Sequence, residues 1–232
     1  MFRRATLTAA LGLATGAAAI TLGAGPAAAA STFGAQWSMG DPSTMVDSSG
    51  NGNTGTTYNI TAASGGGYAF NGTTSKVVVP NSGTLNPGTS DFSYSVTVLT
   101  SRTPPSGTDY DLIRKGISST AGGEYKLEIV YSSTGGKAFC LAKDDSKVSA
   151  TVKGTTNVTD GHVHTLTCKK TSAGLTLQVD NLAPRTKVVS AGLGAIINTS
   201  PLTISAKTPT IKGVNGDFYS GTMLGASVSP LG

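Results

Sequence analysis

The chain has 232 residues, only 12% of them charged, with a formal net charge of +5 and 31 glycines. Its basic residues are scattered, with Arg114-Lys115 and Lys169-Lys170 the only pairs past the amino terminus, which excludes the concentrated basic face of a nucleic-acid binder. Past the first thirty residues no apolar run approaches the ~20 needed to span a bilayer.

Met1-Phe2-Arg3-Arg4 opens the chain with positive charge, and Ala5 to Leu22 follows as an apolar stretch rich in Ala, Leu and Gly. It closes on Ala28-Ala29-Ala30, which fits the small-x-small rule for cleavage. Residues 1–30 are therefore expected to be a secretory signal peptide, with Ser31 the first mature residue and the protein secreted. The Arg3-Arg4 pair leaves both general and twin-arginine export open. Loss of those two arginines would lower the formal charge from +5 to +3. Residues 31–232 contain no Pro-rich or Ser-rich linker and no internal repeat, and are expected to form one domain.

Beyond the leader, no window shows apolar residues at helical spacing, whereas alternation is common. Lys76 to Val79 is a short apolar run. Phe92-Ser93-Tyr94-Ser95-Val96-Thr97-Val98 places Phe, Tyr and two Val on one face and hydroxyls on the other. Glu124 to Tyr131, Lys137 to Ala142, Lys147 to Val152 and Leu175 to Val179 follow. Turn residues separate these runs: Asn81-Ser82-Gly83, Ala121-Gly122-Gly123, Thr134-Gly135-Gly136 and Lys143-Asp144-Asp145. Many short strands at this spacing predict an all-β, antiparallel two-sheet sandwich. A parallel α/β fold is excluded for want of crossover helices.

Several landmarks then come in order: Trp37; Val46-Asp47-Ser48-Ser49-Gly50-Asn51-Gly52-Asn53; Tyr68-Ala69-Phe70-Asn71-Gly72; Val77-Val78-Val79-Pro80; Asp91-Phe92-Ser93-Tyr94-Ser95-Val96. Leu112-Ile113-Arg114-Lys115-Gly116, Glu124-Tyr125-Lys126-Leu127, Asp160-Gly161-His162-Val163-His164 and Asp217-Phe218-Tyr219-Ser220-Gly221-Thr222 complete the series. The order resembles the laminin-G-like, concanavalin A-like lectin/glucanase superfamily, in its secreted bacterial jelly-roll form, over Trp37 to Val228. The resemblance implies a jelly roll at the cell exterior, a buried Trp37 and a glycan as partner. Val163 stands where relatives carry Trp, and Asn181 where they carry Gly.

His162, His164 and Cys168 raise the question of a metal. A zinc site needs three or four converging ligands, and the chain has two histidines. His164, Leu166 and Cys168 share one strand face, so His164 is read as a hydrogen-bonded core residue. Cys140 and Cys168 are the only cysteines of an exported chain, which predicts a disulfide.

Glucanases of this fold use paired glutamates on one strand, and the only two here are Glu124 and Glu128. Lys126 stands where the family has Asp, and Cα atoms four apart on a strand are roughly 13 Å distant, against about 5–5.5 Å between carboxyls of a retaining pair. They are read instead as an exposed Glu-Lys-Glu charge stripe. A glycoside hydrolase or lyase built on them is an alternative to the expected function, a non-catalytic carbohydrate-binding module. An adhesive or structural envelope protein with a protein partner is another. Asp109, Tyr110, Asp111, Asp144 and Asp145 are the candidate ligand contacts, as acids and an aromatic in loop regions. The family resemblance adds one structural calcium, with Asp217 and a backbone carbonyl near Gly72 as its ligands. A monomer is expected.

Overall fold

The computed structural model describes residues 33–210 and 216–231. The expected leader, residues 1–30, lies outside the described residues. The described chain is mostly β structure with turns and loops, and a short 3-10 turn lies at Gly83–Leu85. In chain order the strands are β1 (Ala35–Ser38), β2 (Thr44–Met45), β3 (Gly55–Tyr58), β4 (Thr61–Ala62), β5 (Tyr68–Asn71), β6 (Lys76–Val79), β7 (Phe92–Leu99) and β8 (Asp109–Lys115). Then come β9 (Glu124–Val130), β10 (Lys137–Lys143), β11 (Ser149–Lys153), β12 (Val163–Thr171), β13 (Gly174–Val179), β14 (Arg185–Val188), β15 (Leu202–Ile204) and β16 (Ser220–Pro230).

They form two antiparallel eight-stranded sheets. One runs β14-β13-β12-β7-β16-β5-β4, with β1 also on β16; the other runs β11-β10-β9-β8-β15-β6-β3-β2. The all-β two-sheet sandwich expected from alternation is what forms. β16 is the organising strand of the first sheet. It pairs with β7 along one edge, and with β5 and then β1 along the other.

Alternation decides the core. Phe92, Tyr94, Val96 and Val98 of β7 point inward, against Tyr125, Leu127 and Ile129 of β9 in the other sheet. The rings of Phe92, Tyr94 and Tyr125 lie 5.1–5.5 Å apart, within the range for favourable edge and offset contacts. Each buried hydroxyl finds a carbonyl: Tyr94 donates to Leu141 (2.8 Å) and Tyr125 to Leu85 (3.2 Å). Trp37 is buried as expected, its indole N–H donating to the Asn53 carbonyl at 2.7 Å. Cys140 of β10 and Cys168 of β12 are bonded across the sandwich, Cα to Cα 5.8 Å, joining the two sheets.

His164 also takes the place expected of it, 9% exposed at its side chain, and both ring nitrogens meet carboxylates. Nδ1 lies 2.8 Å from Asp180 and Nε2 3.1 Å from Asp160. A neutral imidazole can donate from only one nitrogen, so the doubly protonated ring fits both partners. Burial lowers its pKa, but the hydrogen bonds to Asp180 and Asp160 outweigh burial and raise it above the ordinary 6.5. The His162 amide, together with the histidine, holds the Asp160 carboxyl down at about 2. Because the folded-state pKa of His164 is the raised one, this clasp stabilises fully below about pH 6.5 and is lost as pH rises through the folded value. The melting-temperature difference between the native chain and His164→Gln is expected to be largest in mild acid and to shrink through neutral and alkaline pH. A difference constant from pH 5 to 9 would show that His164 is held neutral.

Candidate functional site

The site grows from β8. Pro104-Pro105-Ser106-Gly107 turns the chain into it: Thr108 donates its amide back to Pro105 (3.0 Å), and Gly107 takes the left-handed φ of 81° that the turn needs. β8 then pairs with β9, Asp109 opposite Val130 and Asp111 opposite Glu128, but the register slips between Asp111 and Ile113. Residues three apart on a regular strand face opposite ways. The bulge turns Arg114 back to the face of Asp111, and its guanidinium reaches that carboxylate at 2.8 Å.

The same outward face of the sheet carries Glu124, Lys126 and Glu128 of β9 and Lys143 of β10, which sits opposite Glu124. Arg114 Nη2 lies 3.9 Å from Glu124 and 3.6 Å from Glu128; Lys143 meets Glu124 at 3.1 Å, and Lys126 is ion-paired to Glu128. Both glutamates are 2% exposed. The exposed charge stripe expected from the sequence is therefore corrected. The stripe is closed over by cations from neighbouring strands, because the bulge brings Arg114 across it.

Asp217 reaches the same place from the far end of the chain. Its backbone turns through a left-handed φ of 53°, its carbonyl accepts the Asp111 amide at 2.8 Å, and Phe218 makes a parallel bridge with Asp111. The carboxylates of Asp109, Asp111 and Asp217 can thus each present an oxygen within 4.8 Å of the others. Lys207 holds Oδ2 of Asp217 at 2.9 Å. Among the described residues, four buried side-chain atoms lack a hydrogen-bond partner, Asp109 Oδ1, Asp111 Oδ1, Arg114 Nε and Glu124 Oε2, and all four belong to this cluster. Burial, then repulsion from Glu128 and Asp217, pushes the Asp109 carboxyl up to about 6. Burial also pushes Asp111 well up, against the opposing pull of Arg114.

Beside the carboxylates opens a cleft of about 450 Å³. Four stretches line it: Asn71, Gly72 and Thr73 at the end of β5 and the turn after it, Arg102 and Pro105 of the loop before β8, Asp109 and Tyr110 of β8, and Asp217 and Phe218 just before β16. Gly72 has a left-handed φ of 77°, and a Cβ there would stand 2.9 Å from the Ser220 side chain, so the turn admits glycine alone. Tyr110 and Phe218 are buried walls, with the Tyr110 ring edge-on to Tyr219 at 5.7 Å.

The sequence candidates separate accordingly. Asp109, Tyr110, Asp217 and Gly72 come together in one cleft, although the first two were read as ligand contacts and the last two as calcium ligands. Asp111 is corrected: it is wholly buried beneath the cleft and paired with Arg114. Asp144 and Asp145 lie apart from this cleft. They follow β10 at the end of β9 marked by Glu124, while Asp109 lies at the Val130 end, about 20 Å away along a seven-residue strand. Asp144 is buried in a turn, accepting the amides of Val148 and Gly194, both at 2.8 Å; Asp145 is exposed. Arg102 and Asn71 were not singled out from sequence as ligand contacts, and nothing in their immediate neighbours marks them.

No protein-family profile matches the chain, and no curated protein does. Solved structures match its fold. One is a botulinum neurotoxin type C chain, from work on cell entry through two ganglioside molecules, with a TM-score of 0.58 and 10% identity over 85% of this chain and 48% of that one. Another is domain 4 of AbnA, a GH43 extracellular arabinanase from Geobacillus stearothermophilus, in complex with arabinotriose: TM-score 0.57, 13% identity, 85% of this chain and 93% of that one. A third is the botulinum neurotoxin DC binding domain in complex with rat synaptotagmin II, at TM-score 0.53, 12% identity, 84% of this chain and 46% of that one. The chain thus spans about half the length of the neurotoxin chains and nearly all of the arabinanase domain. What it shares with them at such identities is the fold, an antiparallel β-sandwich.

Proposed function

We propose that the chain is a secreted, non-catalytic carbohydrate-binding module of the laminin-G-like, concanavalin A-like type, taking its glycan in the cleft beside Tyr110. The observation that carries the reading is the make-up of that cleft. Aromatic walls from Tyr110 and Phe218 stand next to the polar side chains of Asp109 and Arg102, beside the turn Asn71-Gly72-Thr73, whose Asn71 amide and Thr73 hydroxyl bond within the turn itself. A sugar ring offers apolar C–H faces and a rim of hydroxyls, and this mixture answers both. The volume of about 450 Å³ suits a short oligosaccharide segment. The fold neighbours bound to arabinotriose, or described with gangliosides, support the same reading. Glu124 and Glu128, ion-paired and 2% exposed, support binding over hydrolysis.

The test is retention on a panel of soluble and insoluble polysaccharides, with an assay for released reducing sugar. Specific retention without sugar release is expected. Arg102→Ala should weaken it about tenfold, equivalent to roughly 1.4 kcal/mol, and because Arg102 is exposed the change reads binding and not folding. Retention on no polysaccharide would overturn the proposal and favour a protein partner, the precedent being the synaptotagmin-bound neighbour.

A further inference from the structure

We propose that the groove between the edge strands β11 and β14 takes an acidic peptide, which adds to β14 as a further strand and carries an acid at every second residue. None of the residues lining this groove lines the cleft of the glycan reading, so the two sites are tested separately.

β14 ends its sheet. Among the described residues it pairs with β13 on one side and with no strand on the other, and all four of its residues are exposed. Such an edge offers a row of main-chain donors and acceptors that an extended chain can take up. β11 ends the other sheet, and beside the two strands lies a groove of about 420 Å³, lined by Thr151 and Lys153 of β11 and by Pro184, Arg185, Thr186 and Lys187. No acid lines it. Arg185 and Lys187 stand opposite Leu177 and Leu175 of β13, both buried, so the two cations lean toward the other sheet at a place where the core has ended. Among the described residues, neither they nor Lys153 have a carboxylate within salt-bridge distance. Lys153 donates instead to the Tyr131 carbonyl, at 3.4 Å.

That arrangement selects its partner. Two residues apart on a strand, Arg185 and Lys187 are separated by roughly 6.6–6.8 Å along it. An added strand repeats at the same interval, so acids at alternate positions meet both cations at once, with Cβ atoms about 4.5–5.5 Å apart across each pair. The planar fork of Arg185 suits a carboxylate in particular. A second copy of β14 would set like charges opposite one another, so the same two side chains oppose self-pairing and favour an acidic strand. An anionic polysaccharide also offers carboxylates, but it has no main-chain amides to pair with the open edge.

The test titrates the folded chain with three probes: a blocked synthetic peptide alternating glutamate with threonine, its counterpart alternating lysine with threonine, and polygalacturonate. The glutamate peptide is expected to bind, one per chain, and the lysine peptide not to bind. Raising the salt from about 0.05 to 0.5 M should weaken binding severalfold, because the charge pairs are exposed and screened. Reversing both cations, Arg185→Glu with Lys187→Glu, should weaken the glutamate peptide at least about tenfold and confer binding of the lysine peptide. Both residues are exposed, so an unchanged melting temperature separates lost binding from lost folding. Two readouts follow the main chain, which ionic capture alone does not move. A glutamate peptide methylated at its amide nitrogens keeps its charges and should not bind, and amide exchange within Arg185–Val188 should slow in the complex. No binding at millimolar glutamate peptide would overturn the proposal and leave the cations as guards of a sheet edge. Binding without slowed exchange at β14 would overturn it too. So would polygalacturonate held more tightly than the peptide, which would assign the groove to an anionic glycan.

Discussion

Replacing Arg114 with methionine is expected to lower stability by about 3–5 kcal/mol, the cost of leaving buried carboxylates without their cation. The guanidinium is 5% exposed at its side chain and faces three carboxylates, Asp111 at 2.8 Å, Glu128 at 3.6 Å and Glu124 at 3.9 Å. Methionine fills similar space but leaves those charges without their shared cation. Lys126 and Lys143 still reach the glutamates, whereas among the described residues Asp111 has no second cation within salt-bridge distance. Arg114→Lys should recover only part of the loss, because one ammonium cannot spread over three acceptors as a planar fork does. Urea unfolding of the three proteins measures the differences. An Arg114→Met loss below about 1 kcal/mol would mean that the cluster is open to solvent and screened.

Breaking the Cys140–Cys168 bridge is the other large expected effect. The bond closes a loop of 28 residues, and on the chain-entropy account its loss destabilises by roughly 3–4 kcal/mol. At 2–4 °C per kcal/mol for a chain of this size, that is a melting temperature lower by about 10 °C. The position sharpens the expectation. β10 and β12 lie in opposite sheets, so the bridge ties the two layers of the sandwich directly, next to Tyr94, which hydrogen-bonds across to Leu141 of β10. Paired serine replacements, and the native chain with reductant, should melt alike and well below the oxidised protein. A shift under 2 °C would show that the sheets hold together by side-chain packing alone.

Sequence alternation made the central strands legible. β7, β9, β10 and β13 each bury every second residue against the opposite layer, so their periodicity appears in the chain itself. β14 escaped notice because Arg185–Val188 is an edge strand exposed along its whole length and carries no two-residue pattern. β8 was half legible: Leu112 to Lys115 stood out, but a bulge after Asp111 leaves no mark in side-chain type. Without the bulge Arg114 would face the core, which is why Glu124 and Glu128 read as an open stripe when they are enclosed. The site was legible residue by residue but not as a site. Asp109, Tyr110 and Asp217 were each marked out, yet what joins them is a single parallel bridge between β8 and the segment before β16, a contact between distant parts of the chain. Asp144 was marked out as well, yet acids in a turn have a local use in capping amides, and both its oxygens serve it.

β16 carries a further consequence, one of timing. Three strands from the first half of the chain, β1, β5 and β7, find a common neighbour only in these eleven residues near its other end, and Ala35 pairs with Val228. A growing chain therefore holds most of one layer without the strand that joins it, and loop closure over nearly the whole sequence comes before that layer can assemble. The order of assembly is thus set by topology: β1, β5 and β7 must wait for a strand made long after them before their layer can close.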